Sequence, residues 1–89
     1  DQEMNSQIKQ KWIEALRSGD YKQGPMCLKD TSNKYCCLGV LCDMYSKDKP
    51  GAGWVSETPE SNRNVFIDAK NGRSATYLTK DVLEWVGWE

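Results

Sequence analysis

The sequence has no histidine among its 89 residues, and that absence removes the commonest catalytic base and the commonest metal-binding imidazole together. A Cys-His or Ser-His nucleophile pair lacks its base, and a mixed Cys/His zinc site lacks its nitrogen ligands. Gly-rich phosphate loops, the G-x-S-x-G elbow and the H-E-x-x-H helix are also missing, so phosphoryl transfer, esterase-like hydrolysis and metalloprotease chemistry have no sequence support. No stretch approaches the ~20 consecutive apolar residues of a membrane span, and the N-terminal residues lack the basic-then-apolar order of a secretory signal. Charge of one sign is missing too: 12 basic residues stand against 13 acidic ones, spread without a run. The basic footprint of a phosphate-backbone binder is therefore absent, and neither nucleic-acid nor membrane binding is expected.

What is present describes one small α+β domain over residues 1–89, with residues 1–5 expected to fray. A chain of this length buries only about 60–65% of its unfolded surface. Its four tryptophans are therefore a large share of the available hydrophobic stabilisation, and a homodimer interface is one way to add more.

Ile8, Trp12, Ala15 and Leu16 form the i, i+4, i+7, i+8 stripe of an amphipathic helix over Ser6 to Ser18, with Asn5 or Ser6 as N-cap and Gly19 as left-handed stop. Tyr21 to Lys29 reads as an irregular entry into a brief strand at Met26-Cys27-Leu28, followed by a turn at Asp30-Thr31-Ser32-Asn33. The block from Tyr35 to Tyr45 reads as a helix buried on nearly all sides, or as a strand over Lys34 to Cys36 that becomes a helix at Cys37. Gly39 lowers its helix propensity, which close packing against a neighbouring element would offset. Ser46 to Gly53 reads as a loop, Trp54-Val55 as a short strand, and Glu57 to Asn64 as a second loop. Val65 to Ala69 and Ser74 to Leu78 around Asn71-Gly72 predict a hairpin with a type I′ turn that sets Lys70 against Arg73. Thr79 predicts the cap of a short helix ending at Trp85 or Val86, with Asp81 in its first turn.

The cysteines bear on function. Cys36 and Cys37 are adjacent and point to different faces, and Cys42 is not one helical turn from either, so the paired spacing of a zinc site is lacking. Reduced, buried thiols are the leading reading for Cys27, Cys36, Cys37 and Cys42. A disulfide from Cys27 and a zinc-stabilised module are the alternatives. No catalytic residue, metal ligand or cofactor is assigned, and carboxylate pairs such as Asp43 with Asp48 read as solvated surface. The aromatic residues are the better clue. Trp12 and Tyr35 lie on core-like stripes, whereas Trp54 follows Gly-Ala-Gly and Trp88 follows Gly87, where burial is less assured. Trp54, Trp85 and Trp88, together with Arg63 and Arg73, are the candidate surface for a partner protein or an anionic ring-bearing ligand.

The segments Trp12-Ile13-Glu14-Ala15-Leu16-Arg17-Ser18-Gly19, Tyr21-Lys22-Gln23 and Tyr35-Cys36-Cys37-Leu38-Gly39-Val40-Leu41-Cys42-Asp43 resemble a group of small uncharacterised proteins encoded by tailed bacteriophages, cyanophages and marine viral sequences among them. Those proteins also tend to end as Leu78 to Trp85 does here. The resemblance covers most of the chain up to Asp43 and then the last dozen residues; Ser46 to Asn64 shows no matching pattern. Cys27 falls at a position that varies in the group, which counts against a general Cys27 disulfide. The resemblance carries no catalytic or ligand role. It implies a phage accessory protein in the cytoplasm of the infected bacterial host, where thiols stay reduced. The expected function is non-enzymatic binding to a host protein; a sponge or sensor for a nucleotide-like small molecule is the second expectation, and the zinc-stabilised module the third.

Overall fold

Asn5 starts the first helix by accepting hydrogen bonds at its side-chain oxygen from the N–H groups of Gln7 (2.9 Å) and Ile8 (3.1 Å), donors that a helix N-terminus leaves unpaired. In the computed structural model, which describes residues 5–24, 27–58 and 60–88, α1 spans Ser6–Ser18 and ends at Gly19 in the left-handed region, as the sequence pattern predicts. The Asn5 N–H also donates to the Val86 carbonyl at 2.6 Å. Asn5 is thus tied at both its backbone and its side chain, which corrects the expectation that it frays; residues 1–4 lie outside the described residues. The stripe of Ile8, Trp12, Ala15 and Leu16 is half-buried, so α1 lies across the core without entering it.

β1 (Lys22–Gln23) pairs in parallel with β2 (Lys34–Tyr35). The strand expected at Met26-Cys27-Leu28 is not formed by its described residues: pairing there is limited to isolated bridges, Lys29 with Tyr35 and Asp30 with Arg63, while Met26 lies outside the described residues. The Asp30 turn is built as expected. Its carboxylate accepts from the N–H groups of Ser32 and Lys34, both at 2.9 Å, and Asn33 takes the positive φ.

α2 (Cys37–Asp48) follows at once, which selects the strand-then-helix alternative. Two expectations are corrected here. The helix runs a turn beyond Tyr45, since Ser46, Lys47 and Asp48 form its solvent-facing last turn and not the start of a loop. Nor is it buried all round: Gly39, Val40, Leu41, Cys42 and Tyr45 are buried, but Cys37 is exposed. Gly39 lies against the backbone of Leu28, and a methyl group there would overlap the Leu28 carbonyl. This is the close packing that offsets its poor helix propensity.

β3 (Gly53–Ser56), β4 (Asn64–Ile67) and β5 (Arg73–Ser74) form an antiparallel sheet in the order β3-β4-β5. Trp54 pairs with Phe66, and Phe66 with Ser74. The hairpin is present, but its turn is not type I′: Asn71 has a positive φ and Gly72 does not. The buried Asp68 explains the difference, because its carboxylate accepts from the N–H groups of Lys70 (2.8 Å) and Gly72 (2.7 Å) and closes a wider loop. Arg73 pairs with Ile67 and does not face Lys70, whose ammonium lies 3.3 Å from Asp81. α3 (Lys80–Val86) begins after Thr79. The Thr79 hydroxyl is buried without a partner and makes no cap bond. Leu28, Leu41, Cys42, Tyr45, Phe66, Val82 and Val86 are fully buried and form one core among the three helices and the larger sheet, each large aliphatic or aromatic side chain adding about 1.5–3 kcal/mol. The fold is a single small α+β domain, and among the described residues no helix is long and apolar enough to cross a membrane.

Candidate functional site

An open groove of about 500 Å³ lies between the first half of α1 and the last half of α2, with α3 closing one end. α1 contributes Ile8 and Lys11, α2 contributes Met44, Lys47 and Asp48, and α3 contributes Trp85. Helical spacing sets these partners. Met44, Lys47 and Asp48 recur at i, i+3 and i+4 and so share one face of α2, while Asn5 holds the start of α1 to the end of α3.

Trp85 is fixed on two sides. Its indole N–H donates to Asp48 at 3.0 Å, and its ring meets the Tyr45 ring edge-on at 5.5 Å. Tyr45 is itself fully buried. Its hydroxyl donates to Asp81 and accepts from the Ala69 N–H at 3.0 Å. Burial and the Asp81 carboxylate push the Tyr45 hydroxyl up to about 12. In return that hydroxyl, helped by Lys70, holds the Asp81 carboxyl below its usual range. The groove therefore has a firm aromatic end wall, an adaptable thioether in Met44 and a lysine on each helix. The Lys47 ammonium sits 3.6 Å from Asp43 and over the Tyr21 ring, whereas the exposed Lys11 makes no ion pair among the described residues. This arrangement suits an apolar side chain next to an anionic group, held by burial and charge.

The profile of a domain of unknown function, DUF8296, matches residues 4–89. The chain belongs to the DUF8296 family. No curated protein and no solved structure matches it. The matched span contains every residue of the groove, so the site lies within the DUF8296 domain.

Within this DUF8296 fold the five candidate surface residues are dispersed. Trp85 lines the groove. Trp54 packs its ring against Tyr35 (6.0 Å) and Phe66 (5.1 Å), beneath the Lys29 ammonium, and donates its N–H to Asp43 at 3.2 Å. Trp88 meets Trp12 edge-on at 5.9 Å. Arg63 makes a two-pronged pair with Glu57, both contacts at 2.9 Å, and Arg73 is exposed on β5. Tyr21, Tyr35, Trp54, Phe66, Tyr45 and Trp85 form a continuous chain of edge-on rings, so Trp54 and Trp85 are two links of one packed series.

Sequence reasoning assigned Ile8 and Met44 to the core and gave Lys11 no role. The available signal was that Ile8 opens its stripe one turn before Trp12, at a helix end where core packing thins out. The carboxylates were misread as well. Asp43 is half-buried and accepts from both Tyr21 (2.6 Å) and Trp54, and burial of the Tyr21 hydroxyl, with the Asp43 carboxylate beside it, pushes that hydroxyl up. Cys27 and Cys36 are half-buried, Cys37 is exposed and Cys42 is buried, all as free thiols. Burial pushes Cys27 and Cys42 up, the reverse of what activates a nucleophile. Cys36 and Cys37 border a second, smaller cavity of about 390 Å³ with Gln23, Gly24 and Tyr35.

Proposed function

We propose that this chain is a small non-enzymatic binding domain that seats a segment of a partner protein, an apolar side chain flanked by an acidic residue, in the groove between α1 and α2. The observation that carries this reading is the Trp85, Met44 and Ile8 lining, open to solvent with Lys11 at its edge. Tryptophan anchors and adaptable methionines are what protein-recognition surfaces favour, and a rim lysine selects the charge of what approaches. The reading is supported further by the internal use of the other polar groups: Asp43 by Tyr21 and Trp54, Asp81 by Tyr45 and Lys70, and Glu57 by Arg63. With the resemblance to phage proteins, the partner is a bacterial host protein met in the host cytoplasm.

A displayed random-peptide library selected against the wild type, Lys11→Glu and Met44→Glu tests this. Peptides with an acidic residue beside an aliphatic or aromatic one are expected to enrich on the wild type alone and to shift the Trp85 indole N–H resonance. Enrichment unaffected by either variant, or shifts confined to the Cys36 and Cys37 cavity, would overturn the reading. A rise in melting temperature with a panel of nucleotides, unchanged by Met44→Glu, would favour the small-molecule alternative.

A further inference from the structure

The outer edge of β3 is a second surface that shares no residue with the groove. The Glu57 N–H donates to the Arg63 carbonyl at 3.3 Å, which sets the ladder phase: Val55 and Gly53 direct their backbone groups at β4, while Trp54 and Ser56 direct theirs away from it. Among the described residues no further strand pairs with that side. Strand alternation supplies the second feature. Trp54 and Phe66 face α2 and the core, so Val55 and its partner Val65 lie on the opposite face. Val55 is 43% exposed, one of two large hydrophobic residues so open among those described. Charge supplies the third. Lys49 precedes the strand, and Glu60 and the Arg63-paired Glu57 follow it.

We infer that β3 pairs antiparallel with β3 of a second copy of this chain, about a two-fold axis at Val55. That axis sets Trp54 of each copy opposite Ser56 of the other, so both outward N–H and C=O pairs are used. Val55 meets its own counterpart at the closely spaced, non-hydrogen-bonded position, and Val65-Val55-Val55-Val65 becomes one apolar row across a six-stranded sheet. The antiparallel sense carries the lysine end of each strand toward the glutamate end of the other. Parallel pairing would bring like charges together, so the occupant favoured by the charge order is this same segment, self-complementary as a two-fold interface requires. Four residues of edge make a small interface, so the dimer is weak, with Kd on the order of 100 µM.

Sedimentation velocity from about 10 µM to about 1 mM spans the monomer-dimer transition expected for such a Kd. Val55→Lys sets like charges opposite each other, and Ser56→Pro deletes an outward donor while sparing the β4 ladder; each is expected to weaken association at least about tenfold. Tyr77→Ser, at the other exposed hydrophobic residue, is expected to leave association unchanged. Circular dichroism confirms that each variant is folded. A sedimentation coefficient that stays monomeric at the highest concentration overturns the inference, and so does a dimer that survives both β3 variants. Lys11→Glu dimerises like the wild type on this inference, so the groove and the edge stand or fall separately.

Discussion

Replacing Gly39 by alanine sets two effects of opposite sign against each other. Alanine is favoured over glycine in a helix interior by about 1 kcal/mol, and α2 would gain that. The new Cβ, however, would fall inside the contact distance of the Leu28 carbonyl carbon and oxygen. Leu28 has no room to retreat. Its side chain is fully buried, its N–H donates to Ala75 at 2.8 Å, and its carbonyl accepts from the Cys36 N–H at 3.2 Å. Overpacking a core costs about 1–3 kcal/mol, and an obstacle made of pinned backbone belongs at the upper end. The net expectation is a loss of about 2 kcal/mol, or about 8–16 °C in Tm at 4–8 °C per kcal/mol for a domain of this size. Thermal unfolding followed by circular dichroism measures it. Gly53→Ala is the control, because nothing lies within 4 Å of its Cβ position, and its Tm should change by no more than a surface substitution allows, about 0.5 kcal/mol. A Gly39→Ala Tm equal to or above the wild type would refute the claim that α2 and Leu28 are locked in contact.

Three further outcomes are expected. Tyr45→Phe removes the acceptor of the part-buried Ala69 N–H bond and the donor to the Asp81 carboxylate, at a cost of about 1–3 kcal/mol in denaturant unfolding. The pH profile has two limbs. The lowered Asp81 carboxyl contributes stability that is present above its unfolded pKa and lost as pH falls through the folded one, so Asp81→Asn should flatten the fall in Tm below about pH 4. The Tyr45 hydroxyl, raised to about 12, and the raised Cys42 thiol keep more protons in the native state than in the unfolded one. Stability should therefore decline as pH climbs above about 9, and Cys42→Ala or Tyr45→Phe should shallow that decline. Among the thiols, exposed Cys37 should alkylate fastest under native conditions and buried Cys42 slowest; Cys42→Ser should cost about 1–3 kcal/mol by burying a hydroxyl, and Cys37→Ser close to nothing. Equal alkylation rates at the two positions would contradict the orientation of α2.

The elements that could be read from the sequence are those whose signals are local. The Asn5 cap, the α1 stripe and Gly19 act within a few residues of one another, and α1 has the expected ends. The start of α2 at Cys37, the β3 strand, the hairpin and α3 follow from equally local cues. The parts that were misread depend on distant partners. A two-residue parallel pair such as β1 with β2 has no periodicity to detect. The tail of α2 looks like a loop because Ser46, Lys47 and Asp48 are polar, yet polar residues are what the exposed side of a last helical turn carries. Asn71-Gly72 carries the composition of a type I′ turn, but the Asp68 carboxylate binds the Lys70 and Gly72 N–H groups and selects another conformation. The groove was missed for the same reason, since Ile8 and Met44 become neighbours only after α1 crosses α2.

The tryptophans show why packing and recognition meet at one place. Three of the four indole N–H groups donate to α2: Trp12 from α1 to the Cys37 carbonyl at 2.9 Å, Trp54 from β3 to Asp43, and Trp85 from α3 to Asp48. Acceptors at the start, middle and end of one helix thus receive donors from three different elements. For a core this small, such bonds give orientation as well as area, because a half-buried indole without an acceptor would lose the hydrogen bond that water supplies. This requirement explains why Asp43 and Asp48 belong to the framework although their spacing suggests solvated charges. It also separates the two roles of Trp85. Its N–H and one ring edge are committed to Asp48 and Tyr45, while its ring still lines the groove. A partner would therefore meet an anchor whose orientation has been fixed by folding, which lowers the entropic cost of binding. Substitutions at Lys11 and Met44 report on recognition, whereas one at Asp48 would loosen the anchor and disturb both roles at once.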